Sequence, residues 1–192
     1  MFVQWWLIVK KKEMTSVPVN EKLTAVTIVE VVPQKVIRHK TQEKDWYTAL
    51  VVGVVGKNDT YLKQKEFNIS PELLESFPVW YVFDETLFDD GSMIAVQGVS
   101  KGKGYAGPIK RYGMAGMPHT HGHKFRRSGW SKGNRKPRRW FKGHPHAGHM
   151  GTDTITLKNI PVLQKMSFEN KKIIVLKGSL PGAFNSYLSL YK

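Results

Sequence analysis

The chain has 192 residues, enough for one domain or for one domain carrying a long appendage. An apolar share of 41% permits a hydrophobic core, while 30 Lys+Arg against 15 Asp+Glu give a formal charge of +15, which favours a polyanionic partner. Cysteine is absent, which excludes a disulfide framework, a thiol nucleophile and a cysteine-based zinc site.

In chain order, Phe2 to Val9 reads FVQWWLIV and is followed by Lys10, Lys11 and Lys12. The run is far shorter than the roughly 18–20 apolar residues of a membrane span. A signal peptide would place its positive charges before the apolar run, so the segment is predicted to be a buried strand, with a membrane anchor as the minor alternative. Leu23 to Val32 (LTAVTIVEVV) is rich in β-branched residues and partly alternates, as a half-buried strand does. Thr48 to Val55 and Met93 to Val99 are further apolar runs of strand length. Ser70 as N-cap, Pro71 at the first helical position and Glu72 to Glu75 predict one short helix. Asp84, Glu85, Asp89 and Asp90 surround Leu87-Phe88. Paired carboxylates can do acid–base work, but a solvated turn beside Gly91 accounts for this cluster. Thr154 to Met166 and Lys172 to Lys177 read as two strands joined by a turn at Glu169-Asn170-Lys171. Tyr187 to Leu190 is a closing strand after the turn at Pro181-Gly182. The expected fold is mainly β, a small barrel or sandwich with one short helix.

The charge is segregated. Between Lys101 and Gly151 lie thirteen Lys/Arg and no carboxylate, whereas the remainder carries 17 basic and 15 acidic residues. Six of the seven histidines and eleven of the seventeen glycines fall in the same stretch. The expected organisation is therefore a near-neutral body, residues 1–100 and 152–192, with a basic extension, residues 101–151, inserted into it. From Gly113 onward the extension lacks apolar periodicity and cannot bury enough surface to offset its backbone entropy, so it needs phosphates to order it. Arg111, Arg126, Arg127, Arg135, Arg138 and Arg139 offer guanidinium forks suited to phosphate oxygens. Lys101, Lys103, Lys110, Lys124, Lys132, Lys136 and Lys142 add point charges. Trp130, Trp140 and Phe141 have the chemistry to stack on unpaired bases; the alternative is packing against the body.

Two motifs point elsewhere. Gly102-Lys-Gly104-Tyr-Ala-Gly107 satisfies G-x-G-x-x-G, but a dinucleotide site needs a following helix and an acidic residue about 20 positions on. Pro108, Gly113 and Gly116 disfavour the helix, and no carboxylate occurs before Asp153. His119, His121 and His123, with His144, His146 and His149, have metal-ligand chemistry that a hydrolase acting on nucleic acid would use. Such sites recruit a carboxylate that is missing here, and the surrounding cations oppose another cation. His121 and His149 are instead expected to contact RNA. No G-x-S-x-G elbow, Walker A loop or H-E-x-x-H is present, so neither catalytic residues nor a metal or cofactor is expected. A general RNA chaperone is a further alternative.

Ser100-Lys101-Gly102-Lys103-Gly104-Tyr105-Ala106-Gly107, followed by Ile109-Lys110-Arg111-Tyr112-Gly113, resembles the S-K-G-K-G-F-A-G…K-R segment of large-subunit ribosomal protein three. The likeness continues through Thr120-His121-Gly122, Arg126-Arg127, Phe141-Lys142-Gly143 and Ala147-Gly148-His149-Met150-Gly151. Thr154 to Val162, Ile173 to Gly178 and Leu180-Pro181-Gly182-Ala183 are similar to that family's closing strands. Lys12 to Thr15 and Val26 to Glu30 echo its opening ones. The resemblance spans nearly the whole chain, most strongly from residue 98. It implies a β-barrel body on the ribosome surface and a long loop reaching through rRNA towards the peptidyl transferase centre. It also implies an early-assembling structural protein without catalytic residues, whose partners are large-subunit rRNA and neighbouring ribosomal proteins, with no membrane or small-molecule substrate. The sequence departs from the family at Glu13, where Gly is usual, and at Ser128-Gly129-Trp130, where the usual turn is Pro-Gly-Ser. His149 stands where some relatives carry a methylated Gln. The motif style is bacterial or organellar, and the absence of a visible presequence favours a bacterial cytoplasm; a mitochondrial or plastid ribosome is the alternative.

Overall fold

Strand β1 (Trp6–Val19) begins with four consecutive buried residues, Trp6 to Val9, as a strand covered on both faces requires. The structure, a computed structural model, describes residues 6–19, 21–56, 60–133, 139, 141–168 and 171–192. The first half of the expected amino-terminal strand, residues 2–5, therefore lies outside the described residues, as does the turn at Glu169-Asn170. Beyond Val9 the strand does not stop at the three lysines but continues to Val19, with a register shift between Lys11 and Met14 against β2 (Lys22–Val31). Glu13 sits in this bulge, which absorbs an extra residue in one strand. Lys11 is buried, and its ammonium donates to the Leu180 carbonyl at 2.7 Å and the Gly182 carbonyl at 3.1 Å.

The chain divides into two units, Met1–Val99 with Thr154–Lys192, and Ser100–Asp153. In the first, six antiparallel strands close a barrel in the order β1, β11 (Tyr187–Tyr191), β6 (Met93–Val99), β9 (Thr154–Phe168), β10 (Lys171–Lys177), β2. Closure removes the open edges that a flat sheet would expose. Its interior follows a period of two: Leu7 and Val9, Ile94 and Val96, Ile174 and Leu176, Leu188 and Leu190 are all buried in one cluster. A second sheet of the same unit runs β3 (Gln34–Lys40), β4 (Ala49–Val55), β5 (Tyr61–Asn68). Trp6 joins the two sheets, stacking on Phe67 with ring centroids 4.1 Å apart and tilting against Phe83 at 4.3 Å.

The expected helix is present as α2 (Pro71–Leu74), with Ser70 at the N-cap position, although its hydroxyl makes no capping bond. Two further single-turn helices, α1 (Gln42–Asp45) and α3 (Pro108–Tyr112), accompany it. The acidic cluster is a turn on the barrel unit. Phe88 is buried, Asp84 pairs with Lys172, and Asp89 lies 3.4 Å from Lys192. Among the described residues no helix is long and apolar enough to cross a membrane.

Candidate nucleic-acid interface

The second unit is built on a small framework at its two chain ends. The Ser100 amide donates to the Asp153 carbonyl, and the Asp153 amide to Ser100 Oγ, at 2.9 and 3.1 Å. The Lys103 amide donates to the Met150 carbonyl and the Met150 amide to the Gly104 carbonyl. Next comes a two-residue ladder, β7 (Tyr105–Ala106) against β8 (Gly148–His149). Gly151 is required at the base: its φ is +82°, and a Cβ there would lie 2.1 Å from the Lys101 carbonyl oxygen.

Pro108 does not prevent a helix after the glycine motif, contrary to the expectation from sequence. It occupies the first turn of α3, where a missing N–H costs nothing, and Gly113 ends the helix in the left-handed conformation with φ of +68°. The helix is a single turn and no carboxylate precedes Asp153, too far along for the ribose contact, so the dinucleotide reading still fails.

The thirteen cations are not equivalent. Lys101, Lys103, Lys110, Lys124, Arg126, Arg127, Arg139 and Lys142 are exposed, as are His121 and His149. Arg111 is half-buried and already engaged. Its guanidinium donates to the His146 carbonyl at 3.0 Å, leaves no room for a Cβ on Gly148, and lies 5.1 Å from the Tyr112 ring centre. Lys132 is half-buried, with Nζ 2.7 Å from His146 Nδ1. Arg135, Lys136, Arg138 and Trp140 lie outside the described residues. Asp153 is the only carboxylate in this unit, so its cations have almost no internal counter-charge.

Trp130 is half exposed, with its indole N–H donating to the Ala115 carbonyl at 2.9 Å; the bond fixes one edge and leaves ring surface accessible. Phe141 is 71% exposed. Two aromatics that sequence reasoning passed over are equally open: Tyr105 at 80% and Phe125 at 75%. Their signal lay in position, Tyr105 inside the glycine motif and Phe125 between Lys124 and Arg126.

His144 and His146 approach each other, with ring centres 5.1 Å apart. Desolvation, then the charge of Lys132, then His144 hold the His146 imidazole below the ordinary histidine range. The close ammonium competes with any cation at this pair. Among the described residues no group of three or more His, Asp or Glu is placed to hold a metal.

The sequence profile of ribosomal protein L3 matches residues 63–172, more than half of the chain. The large ribosomal subunit protein uL3 of Desulfitobacterium hafniense is 35% identical, over 94% of this chain and 92% of the relative. The chain belongs to the ribosomal protein L3 family. The uL3 proteins of Brachyspira hyodysenteriae (34% identical, 96% of this chain and 92% of the relative) and Oceanobacillus iheyensis (33%, 89% and 88%) extend the likeness across both units. L3 proteins are structural components of the ribosome and not enzymes, and the strand-rich architecture expected from the sequence is the one observed. The L3 profile begins only at residue 63, so the first barrel strands, including the bulge at Glu13, are related through the full-length relatives.

Proposed function

We propose that this chain is a structural constituent of the large ribosomal subunit of a bacterial-type ribosome, and that residues 101–151 are its rRNA-penetrating element. The observation that carries the reading is the second unit itself. Exposed cations and exposed aromatic rings stand on an irregular, glycine-rich backbone that contains one carboxylate. Such a surface repels itself and gains by neutralising phosphates, releasing condensed counterions as it does so. Lys101, Lys103, Lys110, Lys124, Arg126, Arg127, Arg139 and Lys142 are assigned to phosphate contacts, together with Arg135, Lys136 and Arg138. His121 and His149 contact backbone or bases, and Trp130 and Trp140 offer stacking faces. Arg111 and Lys132 hold the local fold and contribute their charge from there. The rRNA near the peptidyl transferase centre is the target that the family resemblance implies, with binding early in subunit assembly and neighbouring ribosomal proteins as further partners.

The test is binding of the full chain to large-subunit rRNA and to an unrelated RNA of equal length across rising salt. Counterion release fades at high salt, so a preference for rRNA that survives there supports recognition of shape. Equal affinities that collapse together would reduce the extension to non-specific electrostatic glue, as in an RNA chaperone, and overturn the assignment.

A further inference from the structure

On the barrel unit, a pocket of about 300 Å³ opens between β5 and the barrel strands. Its polar lining is Lys63, Gln64, Lys65, Gln97, Thr154 and Ser189, and no Asp or Glu lines it. The larger cleft of the same unit, about 590 Å³, contains Glu30 and Asp84 among its lysines. The larger cleft thus offsets its lysines with carboxylates, and the smaller one does not.

Lys65 is the distinctive group. Its ammonium donates to Gln97 Oε1 at 2.6 Å and to Ser189 Oγ at 2.9 Å. It also lies 5.3 Å from the Tyr191 ring centre and 5.8 Å from that of Phe67. Gln97 is held in turn, accepting from the Tyr191 hydroxyl at 3.0 Å and donating to Thr156 Oγ1 at 3.2 Å. The adjacent carboxylate, Glu66, is committed to Lys40 at 2.9 Å and to the Tyr47 hydroxyl at 2.6 Å. Lys65 thus meets only neutral partners among the described residues. A half-buried ammonium without a counter-charge is costly, and desolvation accordingly lowers its pKa from the ordinary lysine value. The prearranged Gln97 and Ser189 hold the head group in place, and Lys63, two residues along the same strand, adds a second positive charge at the pocket.

The geometry points to an anion site at Lys65 that accepts a phosphate group, separate from the basic extension. A phosphate oxygen would accept a hydrogen bond from the third N–H of the Lys65 ammonium, with the Gln64 amide and the Thr154 hydroxyl available as further donors. The phosphate is either a backbone diester of an RNA or a free inorganic ion.

The test follows the lysine Cε resonances of the full-length protein, isotopically labelled on lysine, during titration with inorganic phosphate and with a short single-stranded RNA, each at matched ionic strength in chloride. The expected result is a saturable shift at Lys65 and a rise of its pKa towards or above the ordinary lysine value, with at least a tenfold loss of that binding in Lys65→Met. Saturation by the RNA alone assigns a diester, and saturation by both assigns a general phosphate site. If neither titrant moves Lys65 beyond the chloride control, the site is refuted. A saturable shift at Lys63, the other lysine of the pocket, that is unchanged in Lys65→Met would refute it too. The wild-type titration decides the matter even if the variant does not fold, and Lys65→Gln serves as a second variant.

Discussion

Gln34 is buried at the start of β3, where its side-chain amide donates to the Ile8 carbonyl at 2.9 Å and accepts from the Ile8 N–H at 3.0 Å. One side chain thus answers both polar groups of a core residue in β1. Gln34→Leu keeps the volume but strands those groups, and each orphaned buried partner costs about 1–3 kcal/mol. The expected outcome is a lowered urea midpoint with little change in RNA affinity under folding conditions. His146 belongs to the other unit and responds to acid. Its pKa is depressed by desolvation, by Lys132 and by His144, so the folded state prefers the neutral ring. That contribution is present above the ordinary histidine value and is lost as pH falls through the lower folded value. An imidazole NMR titration should place His146 below free histidine. Lys132→Met should raise its midpoint, and an unchanged midpoint would contradict the assigned cause.

At the scale of elements, what the sequence disclosed depended on how each strand is covered. β4, β6, β10 and β11 carry apolar runs because their residues are largely buried, and they were found within a residue or two. β3 (QKVIRHK) and β5 (YLKQKEFN) were missed for different reasons: β3 buries the polar Gln34 and Lys40, which an apolar pattern does not count, whereas most of β5 is exposed and its charges dilute the pattern. The outer part of β1 was missed for a related reason: Lys11 is buried through carbonyl contacts that no local pattern encodes. In the candidate interface, charge and glycine content revealed the segment but not the division of labour inside it. Arg111 and Arg126 look alike in sequence, yet only a partner thirty-five residues away, His146, makes the first a clamp. Gly151 makes the framework testable. Gly151→Ala forces a Cβ against the Lys101 carbonyl, a backbone atom with no rotamer to escape by. Strain of this kind costs on the order of 1–3 kcal/mol. Hydrogen exchange should then accelerate at Lys103 and Met150, whose amides bridge the two chain ends, while barrel amides keep their protection.

For the whole molecule, a near-neutral barrel and a strongly basic insertion give two separable readouts. RNA affinity should fall steeply with salt, and each Arg→Ala at Arg126, Arg127 or Arg139 should lower the slope of log K against log salt by about one. The loss should be similar for different RNA sequences, because phosphate contacts position a protein without reading bases. Lys63 and Lys65 lie on the barrel unit, so their contribution should persist when arginines of the insertion are removed. An unchanged slope across several such variants would mean that the exposed guanidiniums do not reach phosphate.

Val99, the last residue of β6, is paired with Thr154, the first of β9, so the insertion leaves and re-enters the barrel at two hydrogen-bonded neighbours. The ends of the loop are thus joined by the sheet itself, whatever the loop contains. Closure entropy grows only logarithmically, by about 0.6 kcal/mol for each doubling of length. Lengthening the insertion by roughly twenty flexible residues at the exposed turn near Gly122 should therefore cost the barrel only about 0.3 kcal/mol and leave its thermal midpoint almost unmoved. Descendants of this chain are free to lengthen, shorten or rewrite the tip by gradual mutation, because each trial is tethered to a scaffold that does not register the change.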